Sequence, residues 1–412
     1  MRKTTLLLAL VVVLFTFAAA RRRAVNPPGA VTYNKEVVRI LQENCQSCHR
    51  PGDIGPFPMM TYRDAAAMAS QIKLMTHLRR MPPWKPADGV GDFVGARRLT
   101  QREIDLLAMW ADAGAPEGRA EDLPPAPEPK GDWVLGQPDL ILGMQKPFTP
   151  PADRDEYRCF SIPVPSNNDL WISTIDFRPG DRGTVHHIVE YLDLQGASAK
   201  LDKDGNGFTC FGGPEIDDAD VLGAWSPGGR PTPLPDGTAI RLPKGARVLM
   251  QVHYHPHFGK VAPDRTEIGL YFTTKEVKKE LRYGAVYNER LFIPAGATNQ
   301  RVEATSTLGA GIELVSIYPH MHLLGKSIRA DAILPDGTVQ HLIDIPQYEF
   351  QWQGQYIYKN AVKLPKGTKL RVEGFYDNSA DNPTNPNSPP KDVRWGEAST
   401  DEMCIALFGY TN

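Results

Sequence analysis

The sequence has no basic run beyond its extreme N-terminus, and 46 Lys and Arg against 48 Asp and Glu leave a net charge of −2. A nucleic-acid partner is met by a basic patch or stripe, so that class is set aside. Long hydrophobic runs are also missing. The one apolar stretch, Leu6 to Phe17, falls short of the ~20 residues that a membrane span needs. No cysteine stands at its end, which argues against a lipoprotein. A calcium loop is absent too. Asp202-Lys203-Asp204-Gly205-Asn206-Gly207 opens like an EF-hand, but its twelfth position is Gly213 and not the bidentate glutamate, so it reads as a surface turn.

What is present begins with an export signal. Arg2 and Lys3 precede the apolar run, and Ala18-Ala19-Ala20 offers a small-residue cleavage site, giving a signal peptide over residues 1–20. Arg21, Arg22 and Arg23 are awkward to translocate, so an uncleaved anchor stays as the alternative, and a membrane is involved only through this segment. The expected location is periplasmic or secreted, where disulfides persist. A chain of 412 residues suggests two to four domains, and 37 prolines with many Gly-containing turns point to a loop-rich, mostly β protein.

The first chemistry lies close behind the signal. Asn34 can cap a helix carrying Val37, Val38, Ile40 and Leu41, which runs into Cys45-Gln46-Ser47-Cys48-His49. Two thiols at this spacing can form thioether bonds to haem vinyl groups while His49 ligates the iron. A zinc half-site would need further Cys or His nearby, and a redox dithiol would not need the histidine. Thr61 to Arg80 reads as helix and is broken by Met81-Pro82-Pro83-Trp84. Met81 is the expected sixth ligand to iron, with Met59, Met60, Met68 and Met75 as competitors. A last helix starts at Thr100, with Glu103 completing a capping box, and stops at Gly114-Ala115-Pro116. The order of helix, haem motif, methionine and closing helix resembles a bacterial c-type cytochrome domain.

Pro116 to Lys130 is proline-rich and acidic and reads as a linker. Beyond it, short β-branched and aromatic runs alternate with Pro-Asp-Gly and Pro-Lys-Gly turns, the pattern of antiparallel sandwiches. Leu242-Pro243-Lys244-Gly245 with a strand to His253-Tyr254 recurs as Leu364-Pro365-Lys366-Gly367 with a strand to Phe375-Tyr376, which suggests two related β domains.

Seven of the ten histidines fall in three groups. His320 and His322, in Tyr318-Pro319-His320-Met321-His322-Leu323-Leu324-Gly325, share one face of an extended segment. They form either a hydrogen-bonded pair or part of a transition-metal site. His253, His255 and His257 also share a strand face, although Pro256 interrupts it. His186 and His187 are adjacent on a Val185-to-Leu192 strand and can reach one metal only at a bulge or sharp twist. Met403, in Asp401-Glu402-Met403-Cys404, offers a soft thioether that suits Cu(I), or else packs a core. No Glu is placed beside the His-x-His pair to act as the base of a zinc hydrolase.

Taken together, Val185-His186-His187, Gln251-Val252-His253-Tyr254, His320-Met321-His322-Leu323-Leu324-Gly325 and Asp401-Glu402-Met403-Cys404 resemble the copper type II, ascorbate-dependent monooxygenases. These are the peptidylglycine α-hydroxylating and dopamine β-monooxygenases. The resemblance covers roughly Trp133 to Asn412. It implies two jelly-roll sandwiches and two coppers facing each other across a solvent cleft. His186, His187 and His253 would hold an electron-storing copper. His320, His322 and Met403 would hold the copper where dioxygen binds, leaving His255 and His257 in supporting or surface roles. It also implies a Cys159–Cys210 disulfide, worth about 4 kcal/mol by chain entropy, with Cys404 left as a buried free thiol. Peptide-amidating members place an arginine and a tyrosine where this chain has Tyr318 and Leu407, which puts peptide amidation in doubt.

The expected architecture is therefore multidomain: a small all-α cytochrome c domain followed by two all-β jelly-roll sandwich domains. The expected boundaries are 31–118 for the haem domain, 119–132 for the linker, and 133–280 and 281–412 for the sandwiches. The expected cofactors are two copper ions and haem c. The expected function is dioxygen-dependent C–H hydroxylation of a small organic substrate, fed by ascorbate or a redox protein. The alternative is a non-catalytic electron-transfer or copper-binding protein.

Overall fold

The computed structural model describes residues 30–51, 53–126, 133–255 and 261–412. The expected signal peptide, His257 and the end of the expected linker lie outside them. No helix among the described residues is long and apolar enough to cross a membrane.

The regular structure is mostly sheet, antiparallel except where Lys279–Glu280 pairs parallel with Thr238–Leu242. One five-stranded sheet runs, edge to edge, through Leu140–Gly143, Glu267–Phe272, Leu170–Arg178, Thr238–Leu242 and Lys279–Glu280. It packs on a second made of Phe208–Thr209, Glu156–Pro163, Arg247–Tyr254, Val185–Asp193 and Asp220–Trp225. Ile172, Ile240 and Leu270 of the first sheet meet Ile188, Val248 and Val252 of the second in one core. A further sandwich joins the sheet Arg282–Tyr287, Ile405–Thr411, Ile312–His320 and Tyr356–Leu364 to the sheet Gln300–Thr307, Lys369–Tyr376, Gly325–Ile333 and Val339–Ile345. Val315 and Ile357 of this second sandwich are buried with the core of the first, so an apolar seam joins the two.

The sequence repeat has a structural counterpart. Gly245 and Gly367 both take positive φ, +77° and +86°, in turns closed by the Pro243 and Pro365 carbonyls. A side chain is strained in that conformation, which glycine adopts freely. Each turn feeds the central position of its sheet, Arg247–Tyr254 in one and Lys369–Tyr376 in the other.

The N-terminal part corrects the expected fold class. Among the described residues helix is confined to five α-helices of four to twelve residues, one π turn of five and one 3-10 turn of three, so they form a mostly β-sandwich structure without an all-α cytochrome c domain. The expected helix from Thr61 to Arg80 is interrupted at Met68, giving Tyr62–Ala67 and Ala69–His77. Thr32, not Asn34, precedes the first helical turn, and the Asn34 amide instead donates to the Arg119 carbonyl at 3.0 Å. The Thr100–Glu103 capping box forms as expected, and a second joins Thr61 to Asp64. The stretch between these helices leaves them altogether. Phe93 bridges to Tyr358, Val94 donates to the Ile357 carbonyl (2.8 Å), and Phe93 is buried in the core of the second sandwich. Apolar side chains on this strap find their burial against sheet, which ties the helices to the sandwiches.

Candidate metal centres and the cavities beside them

Period-two alternation along Arg247–Tyr254 sends Val248, Met250, Val252 and Tyr254 into the core and His253 to the other face. His253 pairs across the sheet with His187, and the ladder slips between Val185 and His187. That bulge allows the adjacent His186 and His187 to converge, as the sequence required. Three ring nitrogens meet there: His186 Nδ1 lies 3.2 Å from His187 Nδ1, and His253 Nδ1 lies 3.4 Å from the same atom. Two nitrogens ~2.0–2.1 Å from a shared ion sit about this far apart, so the spacing fits a metal.

The surroundings favour neutral, ligating imidazoles. Burial pushes the pKa of His186 and His187 well below the ordinary value, and that of His253 below it against the pull of Asp155. His253 Nε2 donates to Asp155 Oδ2 at 3.1 Å, which leaves Nδ1 as the lone-pair atom facing its neighbours. Tyr157 stacks on His253 at 4.1 Å, and Phe350 stacks on His186 at 4.3 Å. Burial works against ionisation of Asp155, but hydrogen bonds from His253, His255 and Ser399 hold its carboxyl well below the usual range. His255 turns its Nδ1 to Asp155 Oδ1 (2.7 Å) and stands beside the triad.

The second group sits at the end of Ile312–His320. His320 is the last residue of that strand and His322 lies in the turn after it, with ring centroids 5.0 Å apart. Met321 between them is fully buried in the opposite direction. His320 Nδ1 donates to Gln353 Oε1 (2.5 Å) and His322 Nδ1 to the Asp401 carbonyl (3.1 Å), so both Nε2 atoms are left for a ligand. Burial lowers the His320 pKa to about 4 and that of His322 well below its ordinary value. Glu402 is fully buried and its carboxylate receives the backbone N–H groups of His322 (2.9 Å), Leu324 (2.6 Å) and Met403 (3.1 Å). It thereby clamps the His322 turn to the Met403 segment.

His187, His320, His322 and Met403 all line one cavity of about 380 Å³. The His187 and His320 rings are 6.2 Å apart, so the two donor sets adjoin and do not face each other across a broad cleft. Five tyrosines (157, 191, 283, 287 and 318), Trp395, Glu289 and Glu397 share the wall, which holds no Lys or Arg among the described residues.

A larger cavity, of about 800 Å³, opens between the helices and the first sandwich. Cys45, Cys48, His49, Met59, Met75 and Met81 line one side, and His186, His255 and Trp352 the other. Both cysteines are free thiols. His49 Nδ1 donates to the Phe57 carbonyl (2.9 Å), which orients the ring and frees Nε2. Gly55 allows this close packing, because a Cβ there would stand 2.7 Å from the Cys48 carbonyl.

Cys159 and Cys210 are joined, with Cα atoms 5.7 Å apart, and Cys404 is a buried free thiol. Asp155, Phe350, Gln353 and Glu402 are the site residues that sequence reasoning missed. Glu402 stood inside a quoted motif, whereas Phe350 and Gln353 belong to a loop with no pattern of its own.

Residues 280–412 match the family model for the copper type II ascorbate-dependent monooxygenase, C-terminal domain. The chain is 30% identical over 123 residues to peptidyl-glycine alpha-amidating monooxygenase A of Xenopus laevis, covering 29% of this chain and 12% of that protein. It is 32% identical over 124 residues to peptidylglycine alpha-amidating monooxygenase of Rattus norvegicus, again 29% and 12%. The chain thus covers about an eighth of the length of these relatives. Among solved structures, the major capsid protein P2 from bacteriophage PM2 overlays at a TM-score of 0.24 with 9% identity, over 66% of this chain and 97% of that one.

Proposed function

We propose that this protein is an exported, copper-dependent monooxygenase that hydroxylates a C–H bond of a small organic substrate with dioxygen, using electrons relayed through a covalently attached haem. The observation that carries it is the convergence of His320, His322 and Met403 on the same cavity as His187, in a chain whose last third matches a copper monooxygenase domain. Copper in the two sites would supply one-electron redox chemistry and dioxygen binding, and haem c in the larger cavity one-electron transfer.

The chain's own residues do the rest. His186, His187 and His253 form one ligand set, oriented by Asp155. His320, His322 and Met403 form the other, with Gln353 and the Asp401 carbonyl fixing each ring and Met403 offering the soft donor that favours Cu(I). Cys45 and Cys48 would attach the haem, with His49 and Met81 on its iron. Inserting one oxygen atom into a C–H bond and releasing the other as water consumes a pair of electrons and a pair of protons. Ascorbate or a redox protein would be the donor, and the position of the larger cavity against His186 and His255 supports a relay through it. The smaller cavity has carboxylates and no cation, which supports a neutral or cationic substrate over a peptide ending in a carboxylate.

The test is oxygen uptake by full-length protein carrying copper and haem, screened over hydroxylatable compounds. Reduced haem should be reoxidised by oxygen faster in copper-loaded than in copper-free protein when substrate is present. Met403→Ile should abolish uptake while leaving the haem in place, even at copper concentrations that saturate the three-histidine site. Unchanged uptake would point instead to a non-catalytic copper or electron-transfer protein.

A further inference from the structure

Both candidate copper sites are held by one short loop. The segment from Gly396 to Glu402 is closed on itself: Asp401 N–H donates to the Ala398 carbonyl (2.8 Å), Ala398 N–H to Asp401 Oδ2 (3.3 Å), and Gly396 N–H to the Glu402 carbonyl (3.3 Å). A Cβ on Gly396 would collide with the Asp401 carboxylate, so the turn is tightly packed. These bonds fix the shape of the loop.

One end of this loop belongs to the second sandwich's site. The Asp401 carbonyl receives His322 Nδ1–H (3.1 Å), Glu402 clamps the His322 backbone (2.9 Å), and Met403 follows directly. The other end reaches across to the first sandwich. Ser399 Oγ donates to Asp155 Oδ2 (2.7 Å), the same oxygen that receives His253 Nε2–H (3.1 Å). Tyr157, stacked on His253 at 4.1 Å, donates its hydroxyl to the Glu397 carbonyl (2.7 Å). The side chains that orient His253 are therefore themselves positioned by the loop that carries Met403.

We infer that Ser399 and Tyr157, acting through this loop, couple the two copper sites, so that filling the His320/His322/Met403 site tightens metal binding at His186, His187 and His253. The inference rests on the metal reading proposed above. An ion on Met403 and His322 stabilises the loop in the arrangement that presents Ser399 to Asp155, so the histidine triad pays less ordering cost when it binds. By linkage the effect is reciprocal, and such couplings change affinity by roughly 5–150-fold.

The experiment is a double-mutant cycle on full-length protein, with the affinity of the three-histidine site for Cu(I) read by competition with a chromophoric chelator. Met403→Ile, which removes the other site's soft ligand, should weaken Cu(I) at the histidine triad at least about 5-fold in the otherwise native chain. In a Ser399→Ala background the same substitution should have a smaller effect, and in a chain carrying both Ser399→Ala and Tyr157→Phe none. Tyr157→Phe, which removes only the hydroxyl, gives the same test should Ser399→Ala fail to fold. Effects that multiply independently in both backgrounds would overturn the coupling. Failure of the native chain to take up two copper ions would overturn the metal reading itself.

Discussion

The His187 and His320 imidazoles meet edge to face, with centroids 6.2 Å apart and planes at 80°. One ring comes from the first sandwich and the other from the second, so the two donor sets approach each other across the seam between them. In the function proposed above, an electron passing from the histidine triad to the site at His320 would travel between rings only 6.2 Å apart. The seam is buried and apolar at Val315 and Ile357, which keeps this spacing from depending on surface contacts.

Asp155 is the first point to test. Its carboxylate fixes the tautomer of His253, and Asp155→Asn replaces one acceptor oxygen with a donor. Loss of such an orienting partner typically costs 10–100-fold in metal affinity, and about that loss is expected at the histidine triad. Chelator competition, with the electron paramagnetic resonance signal of the Cu(II) form, measures it.

Gln353 plays the matching part for His320. Gln353→Leu removes the acceptor 2.5 Å from Nδ1 and frees the ring to rotate. Copper at the His320/His322/Met403 site should weaken by about 10–100-fold and oxygen uptake should fall, while the haem spectrum stays unchanged. Metal content and oxygen-electrode traces on the same preparation separate these outcomes.

Glu190 should make stability depend on pH. It points into the core of the first sandwich, fully buried, and among the described residues neither carboxylate oxygen has a hydrogen-bond partner. Burial raises its pKa well above the ordinary value, so the native state holds the proton where the unfolded chain, with a pKa of ~4.3, has lost it. Its contribution is fully present below ~4.3 and declines as pH rises toward the native pKa, by up to about 1.4 kcal/mol per pH unit. Glu190→Met should remove that slope and raise the melting temperature at pH 7, which thermal melts at several pH values will show.

The Cys159–Cys210 bridge closes a loop with a sequence separation of 51. Chain entropy gives it about 4 kcal/mol. Cys159→Ala with Cys210→Ala should lower denaturant stability by about that amount. Gln251 also donates to the Cys210 carbonyl at 3.0 Å from the strand that carries His253, so copper at the triad should weaken in the same variant.

Much of the candidate site was legible because its residues come in short motifs. His186-His187 and His320-Met321-His322 stood out as candidate ligands by residue type and spacing, Met403 through the family resemblance, and the need for a bulge at His186 followed from strand periodicity alone. The Cys45-Gln46-Ser47-Cys48-His49 motif was equally plain, but its setting was not. Local helical signals at Thr61 and Thr100 were right and still misled as to the whole. They say nothing about Phe93, which leaves the helices to be buried in a sandwich over two hundred residues further along the chain.

By itself, then, the sequence determined which side chains are available and which of them share a face, because those depend on composition and on the period of strand and helix. Tertiary structure alone decided that His187 reaches His320, that Asp155 answers to Ser399, and that Gln353 and Phe350 come to the sites from a patternless loop. Those are contacts between segments far apart in the chain. They arise from how two sandwiches bury their seam, and no local pattern encodes that packing.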